Sequence, residues 1–294
     1  MDKTICALGF FDGVHIGHAA LLAACRRLAQ EHRCQCAVVT FTSHPDTLVL
    51  GDTPRLINTP DDRRRLLREK FHMDTVIELP FDEAMRAMPW EDFLASLRRE
   101  YQASGFVCGE DFRFGSRGAG NAALLRQYCA GNGLACAVVP EQTLDNVRIS
   151  STYIRKQLET GDMATAVRFL GHPHILTGTV VPGKKLGRTL GIPTANLVYP
   201  EGLAMPRFGV YACKAWVEGN VYPAVTNIGT RPTVAGESVT VEPWILNYSG
   251  DLYGKQITLG FYRFLRPEQK FDSLEALKAA ILRDAEQTQA LFTQ

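Results

Sequence analysis

The run Gly9-Phe10-Phe11-Asp12-Gly13-Val14-His15-Ile16-Gly17-His18 brings two imidazoles, a carboxylate and several glycines into one short stretch. The residues before it, Thr4-Ile5-Cys6-Ala7-Leu8, read as a strand, and Ala19 to Ala29 after it read as an amphipathic helix. Strand, glycine turn and helix start together form an anion receptor. Free backbone N–H groups and the positive end of the helix converge on one spot. A nucleotide triphosphate there would also meet two imidazole donors. The alternative is a metal pair or two turn-forming polar residues. A helical metal pair needs i,i+4 spacing and a third ligand, and neither is visible.

Four more segments have chemical potential. In Arg148-Ile149-Ser150-Ser151-Thr152-Tyr153-Ile154-Arg155, hydroxyls crowd a helix start between two arginines. Ser150 as a simple N-cap is one reading and a triphosphate clamp is the other. Gly109-Glu110-Asp111-Phe112-Arg113-Phe114-Gly115 follows an apolar strand; it is either an ordinary connection with a buried Phe or a loop that touches a planar ligand. From Gly183 to Asn196, glycines and three cations alternate, yet Arg188 after Gly187 breaks the Walker pattern. Such a loop is a surface hairpin or a phosphate wrap. At its end Thr194 and Asn196 share a face if the segment is a strand, and two neutral oxygens beside phosphates suit Mg²⁺. Finally, Glu242 is a lone acid in the apolar run Val241 to Tyr248: solvent-facing, or a general base if it points inward.

The elements that position these segments fall into two textures. Up to about residue 171, apolar runs at 36–41, 75–79, 105–108 and 135–139 alternate with helical patterns, one opening at Thr59-Pro60-Asp61-Asp62 and one at Pro89-Trp90. Continuous apolar strands separated by helices predict a parallel sheet covered on both faces, with ligands at the carboxyl ends of its strands. After Gly171, short strands near 177–181, 209–217, 222–228, 239–248 and 255–264, separated by turn signals, predict an antiparallel sandwich or small barrel. A last helix follows the capping pattern at Asp272-Ser273-Leu274-Glu275, with Leu274, Leu277, Ile281 and Ala285 as its apolar stripe.

A chain of 294 residues, 46% hydrophobic and 21% charged, has room for two soluble domains. Its net charge of +1 disfavours a general nucleic-acid or membrane-surface binder, and the run Arg63-Arg64-Arg65 reads as one exposed helix face. No apolar stretch approaches the roughly 20 residues of a membrane span, and the first strand begins almost at Met1; a cytoplasmic protein is expected. Eight scattered cysteines include no C-x-x-C pair, so a zinc site is not expected, and most sit in apolar runs as small core residues.

Taken together, these segments resemble the prokaryotic bifunctional riboflavin kinase/FAD synthetase family over nearly the whole chain. The resemblance rests on G-x-F-D-G-x-H-x-G-H at 9–18, G-E-D-F-x-F-G at 109–115 and I-S-S-T-x-x-R at 149–155. It continues with L-G-R-T-L-G-x-P-T-A-N at 186–196, N-I-G-T-R-P-T at 227–233 and L-R-P-E-Q-K-F-D-S-L-E-A-L at 265–277. It implies an α/β plus β architecture: a Rossmann-like nucleotidyltransferase domain with a parallel sheet at 1–171, then an antiparallel six-stranded β-barrel with a C-terminal helix at 172–294. It implies that the barrel phosphorylates riboflavin with ATP and Mg²⁺ to give FMN, and that the first domain adenylylates FMN to FAD, releasing pyrophosphate.

Residue by residue, the resemblance makes His15 and His18 phosphate contacts, with Gly9, Phe10, Asp12 and Gly17 of the same turn among the nucleotide-binding residues. Arg148, Ser151, Thr152 and Arg155 become a phosphate clamp, and Asp111 lies near the flavin nucleotide. In the barrel, Gly183, Lys184, Gly187 and Arg188 form the nucleotide loop and Thr194 and Asn196 hold magnesium. Glu242 is the base for the riboflavin 5′-hydroxyl, and Arg266 is in the segment lining the flavin side. Phe10, Thr42-Ser43, Lys184, Pro243-Trp244 and Asn247 depart from the commoner family residues.

Overall fold

A computed structural model of the protein describes residues 3–51, 53–183, 191–233 and 236–293. It divides into two compact units: Met1–Leu56 with Pro60–Ser151, and Ile57–Thr59 with Thr152–Gln294.

The first unit is built on strands β1 (Thr4–Leu8), β2 (Gln35–Phe41), β3 (Thr75–Leu79), β4 (Ala103–Gly109) and β5 (Ala135–Val139), all parallel, in the order β3-β2-β1-β4-β5. Parallel strands need crossovers, and the helices supply them. Helix α1 (Ile16–His32) buries Leu21, Leu22 and Cys25. On a sheet face, Cys6, Leu8, Val39, Phe106 and Cys108 form one core with Phe93, Leu94 and Leu97 of the helix Trp90–Tyr101. The order reverses between β1 and β4. In such sheets the crevice beyond the carboxyl ends of those two strands is where ligands bind. The segments 9–18 and 109–115 leave those two ends.

The run Arg63-Arg64-Arg65 is not an exposed face. Arg63 is only 2% exposed, because the helix Pro60–Arg65 turns it inward while Arg64 and Arg65 stay half-buried.

In the second unit, strands β6 (His174–Thr179), β7 (Leu197–Val198), β8 (Gly209–Val217), β9 (Asn220–Thr233), β10 (Gly236–Ile245) and β11 (Gln256–Arg266) form one antiparallel sheet ordered β6-β11-β8-β9-β10-β7. The two end strands approach each other: a Cβ at Gly178 of β6 would meet Leu197 of β7 at 3.5 Å, so the sheet curls into a nearly closed six-stranded barrel. The helix Ser151–Thr160, from Thr152 on, and the helix Met163–Leu170 belong to this unit, the latter burying Met163, Ala166, Phe169 and Leu170. The last helix, α2 (Leu274–Thr293), starts where the Ser273 hydroxyl oxygen accepts from the Ala276 N–H at 3.1 Å. Its inward stripe is Leu277, Ala280, Ile281, Asp284, Ala285 and Thr288; Leu274 is 62% exposed, because the first turn runs ahead of the barrel surface that Leu277 reaches. All eight cysteines are free; seven precede residue 140, and Cys213, fully buried in β8, stands by itself in the second unit.

Candidate functional sites

The turn after β1 is held in an unusual backbone. Phe11, Gly13 and Val14 have φ of 61°, 76° and 40°, and a left-handed β-branched valine is a strained residue. Three side chains fasten it. Thr40 donates to the Phe10 carbonyl at 2.9 Å, Arg63 donates to the same carbonyl at 3.3 Å, and Ser151 donates to the Asp12 carbonyl at 2.9 Å.

His15 caps helix α1: its Nδ1 accepts from the His18 N–H at 3.2 Å, which leaves the neutral ring's proton on Nε2. The two rings stack, 3.6 Å between centroids and 9° from parallel. Gly17 permits this, since a Cβ there would lie 3.2 Å from the His15 ring. Burial, then repulsion from His15 and Arg63, pushes the His18 imidazole well below its usual range, so at neutral pH it is an uncharged donor.

His15, Gly17 and His18 line a cleft of about 200 Å³ together with Asp111, Glu141, Arg148 and Ser151. Arg148 is gripped by Asp111 at 2.5 Å and Glu141 at 2.9 Å, and Glu110 accepts the Glu141 N–H at 2.9 Å. Of the expected residues, Gly9, Phe10 and Asp12 do not line this cleft. Phe10 carries the Arg63 guanidinium 4.4 Å above its ring, and Asp12 is buried. Thr152 and Arg155 are in the second unit, where Arg155 donates to the Thr152 hydroxyl at 3.1 Å. A second cleft of the first unit, about 740 Å³, was not evident in the sequence. It is lined by Phe41, Phe81, Phe93, Phe112 and Phe114 with Arg86, Arg113 and Arg117. Its only sequence signal is Phe112 and Phe114 after β4, whose rings stack 5.7 Å apart.

In the barrel, a cleft of about 290 Å³ has Thr194, Asn227, Glu242, Trp244, Arg266 and Phe271 among its walls. Strand register explains the grouping. Arg266 pairs with Val210, Val210 with Asn227, and Asn227 with Glu242, so one row on one sheet face runs through the cleft. The Ala195 N–H to Pro243 carbonyl bond, 2.9 Å, extends the Leu197–Val241 pairing and sets Asn196 opposite Glu242. Glu242 is half-buried and accepts from the Thr240 hydroxyl at 3.0 Å. It is therefore neither solvent-facing nor sealed in the core.

The Arg266 guanidinium is engaged by Asp284 of α2 through contacts of 2.8, 3.0 and 3.2 Å, a partner the sequence did not reveal. Asn196 packs on Gly183, where a Cβ would overlap its amide at 2.2 Å. Its Oδ1 is buried without a hydrogen-bond partner among the described residues. A neutral oxygen left in that state fits a hard cation. No cluster of three or more His, Cys, Asp or Glu suited to a metal occurs among the described residues. Lys184, Gly187 and Arg188 lie outside the described residues.

Comparisons with known proteins agree along the whole length. Residues 1–153 match the FAD synthetase family model and residues 170–292 the riboflavin kinase model. The bifunctional riboflavin kinase/FMN adenylyltransferase of Listeria monocytogenes is 32% identical over 99% of this chain and 93% of its own. The protein of that name from Escherichia coli K12 is 36% identical over 96% of this chain and 91% of its own. A solved structure named as a macrolide-efflux protein from Streptococcus pneumoniae has a TM-score of 0.88 at 30% identity, covering 98% of this chain and 94% of that one. Among the described residues no helix is long and apolar enough to cross a membrane. With both family models matched in order, and relatives alike from end to end, the chain belongs to the bifunctional riboflavin kinase/FMN adenylyltransferase family.

Proposed function

We propose that residues 172–294 phosphorylate riboflavin with ATP to give FMN, and that residues 1–171 transfer AMP from a second ATP to FMN to give FAD and pyrophosphate. The observation that carries the reading is the placement of Glu242 in one row with Asn227 and Arg266 inside a largely apolar cleft. The flavin ring packs on Trp244, Phe271, Leu277 and Ile281. Its 5′-hydroxyl faces Glu242, which takes the hydroxyl proton as the oxygen attacks the γ-phosphorus and ADP departs. Thr194 and Asn196 are the protein oxygens for Mg²⁺. When bound, the ion would neutralise phosphate charge.

In the first unit no base is required, because the attacking FMN phosphate is already anionic. The chemistry is charge stabilisation. His15 and uncharged His18 donate toward the α-phosphate and the departing pyrophosphate at the start of α1. Arg148 is held ready by Asp111 and Glu141, and the phenylalanine-lined cleft takes the isoalloxazine ring. The substrates are thus small molecules, and eight free thiols accord with a reducing cytoplasm.

Incubation with riboflavin, ATP and Mg²⁺ yields FMN and then FAD, separated by chromatography. FMN that accumulates without FAD, even when FMN and ATP are supplied, overturns the adenylyltransferase half. The fragment 172–294 phosphorylates riboflavin by itself; if only 152–294 does so, the boundary belongs at residue 151.

A further inference from the structure

We infer that Arg63 is a positioning residue for adenylyl transfer, holding the turn from Phe10 to Asp12 in the one conformation that presents His15 and His18 to the nucleotide. The inference rests on the adenylyltransferase reading of the first unit.

Arg63 does not line the cleft, so it acts through its neighbours. Its side chain is 3% exposed, a depth at which guanidinium groups are rarely found without a close carboxylate. Two carboxylates offset its charge: buried Asp12 of the turn itself, and Glu78 at 3.9 Å, which Arg64 binds more tightly, at 2.6 Å. Two of its donors go to main chain. One Nη donates to the Phe10 carbonyl at 3.3 Å and the other to the Phe41 carbonyl at 2.8 Å. Those carbonyls belong to the segments leaving β1 and β2. The fork therefore ties together two adjacent strand ends at the mouth of the sheet, and its face stacks on Phe10 at 4.4 Å.

What it ties down is the strained turn. Left-handed Phe11 and Val14 persist only where the surroundings over-determine them. Thr40 and Ser151 each supply one bond, whereas Arg63 supplies a bond, a stacking face and a link to a second strand. Released, the turn relaxes, and His15 and His18 shift from the transferring phosphate. A misplacement of about 1 Å lowers turnover on the order of 100-fold while leaving binding contacts elsewhere in place.

The test uses the full chain with Arg63→Met and Arg63→Lys, assayed for FAD formation from FMN and ATP, with riboflavin phosphorylation as the internal control. Arg63→Met is expected to lower kcat for adenylylation about 100-fold, with KM for FMN and ATP changed less than about threefold. Riboflavin phosphorylation stays unchanged, and Arg63→Lys, which keeps the charge and one donor, recovers part of kcat. Retention of kcat in Arg63→Met, or a loss confined to KM, overturns the inference. If Arg63→Met unfolds the first unit by circular dichroism, Arg63→Lys decides. A lowered kcat at unchanged thermal stability supports the inference, and wild-type kcat overturns it. A wild-type protein that makes no FAD refutes the adenylyltransferase reading itself, a distinct result.

Discussion

The two clefts solve related phosphorus chemistry with the same number of carboxylates placed differently. In the barrel cleft Asp284 holds Arg266, Glu268 accepts from the Asn227 amide, and Glu242 stands in the register row beside Trp244, accepting from the Thr240 hydroxyl. In the parallel-sheet unit two of the three carboxylates, Asp111 and Glu141, hold Arg148, and Glu110 accepts a backbone N–H. The difference follows from the nucleophile. A hydroxyl must lose a proton as it attacks, so an available base is worth having. A phosphate monoester needs none, and a free carboxylate beside it would only repel it. Where a cleft places its acids, beside the incoming nucleophile or on an arginine, thus tells which reaction it can run, even though ATP is common to both.

The sharpest way to break this contrast is to exchange the losses. Glu242→Gln should lower riboflavin phosphorylation by about 10²–10⁴-fold and leave FAD formation from added FMN intact. Equal loss of both activities would mean the clefts are not independent. His15→Ala combined with His18→Ala should do the reverse, lowering FAD formation on the order of 10²–10³-fold, with riboflavin phosphorylation as the control. Next in size is the scaffold of the barrel cleft. Asp284 is 3% exposed and is the carboxylate on Arg266, so Asp284→Ala should cost about 4 kcal/mol of stability by stranding that cation, measured by urea unfolding of the second unit. A loss under about 1 kcal/mol would mean Arg266 finds another partner.

The smallest effect is set by pH. His174 begins β6, is fully buried, and neither ring nitrogen has a hydrogen-bond partner among the described residues; burial, then His172, lowers its pKa from 6.5 to about 4. The unfolded chain takes up this proton below about 6.5 and the folded chain only near 4. Its contribution is therefore intact above pH 6.5 and lost as pH falls toward 4, a change of about 3 kcal/mol at most. His174→Leu should flatten the stability of the second unit across that window. An unchanged slope would assign the acid sensitivity to other groups.

Much of this was legible in the sequence because local signals carry it. The segment 9–18 announces strand, turn and helix with its own residues, and alternation of apolar runs with helical stretches suffices for the parallel sheet. What escaped depends on pairings distant in the chain. Nothing in Arg63-Arg64-Arg65 distinguishes the buried arginine from its neighbours, since the carbonyls that receive it lie at Phe10 and Phe41. Arg266 was expected on the flavin side; register brings it into the cleft with Glu242, but its tether to Asp284 spans a loop and a helix. The phenylalanine cleft collects rings from residue 41 to residue 114, a grouping that only the sheet order creates.

The solitary thiol of the barrel has a practical consequence. Cys213 is sealed in β8, and burial raises its pKa above the usual thiol range, so a thiol reagent reaches it only when the second unit opens. Seven other cysteines report on the first unit, with the partly exposed Cys34 and Cys136 labelled earliest. Mass-resolved labelling of the unmodified chain would therefore time the opening of each half separately, and show whether substrate in one cleft slows the clock of the other.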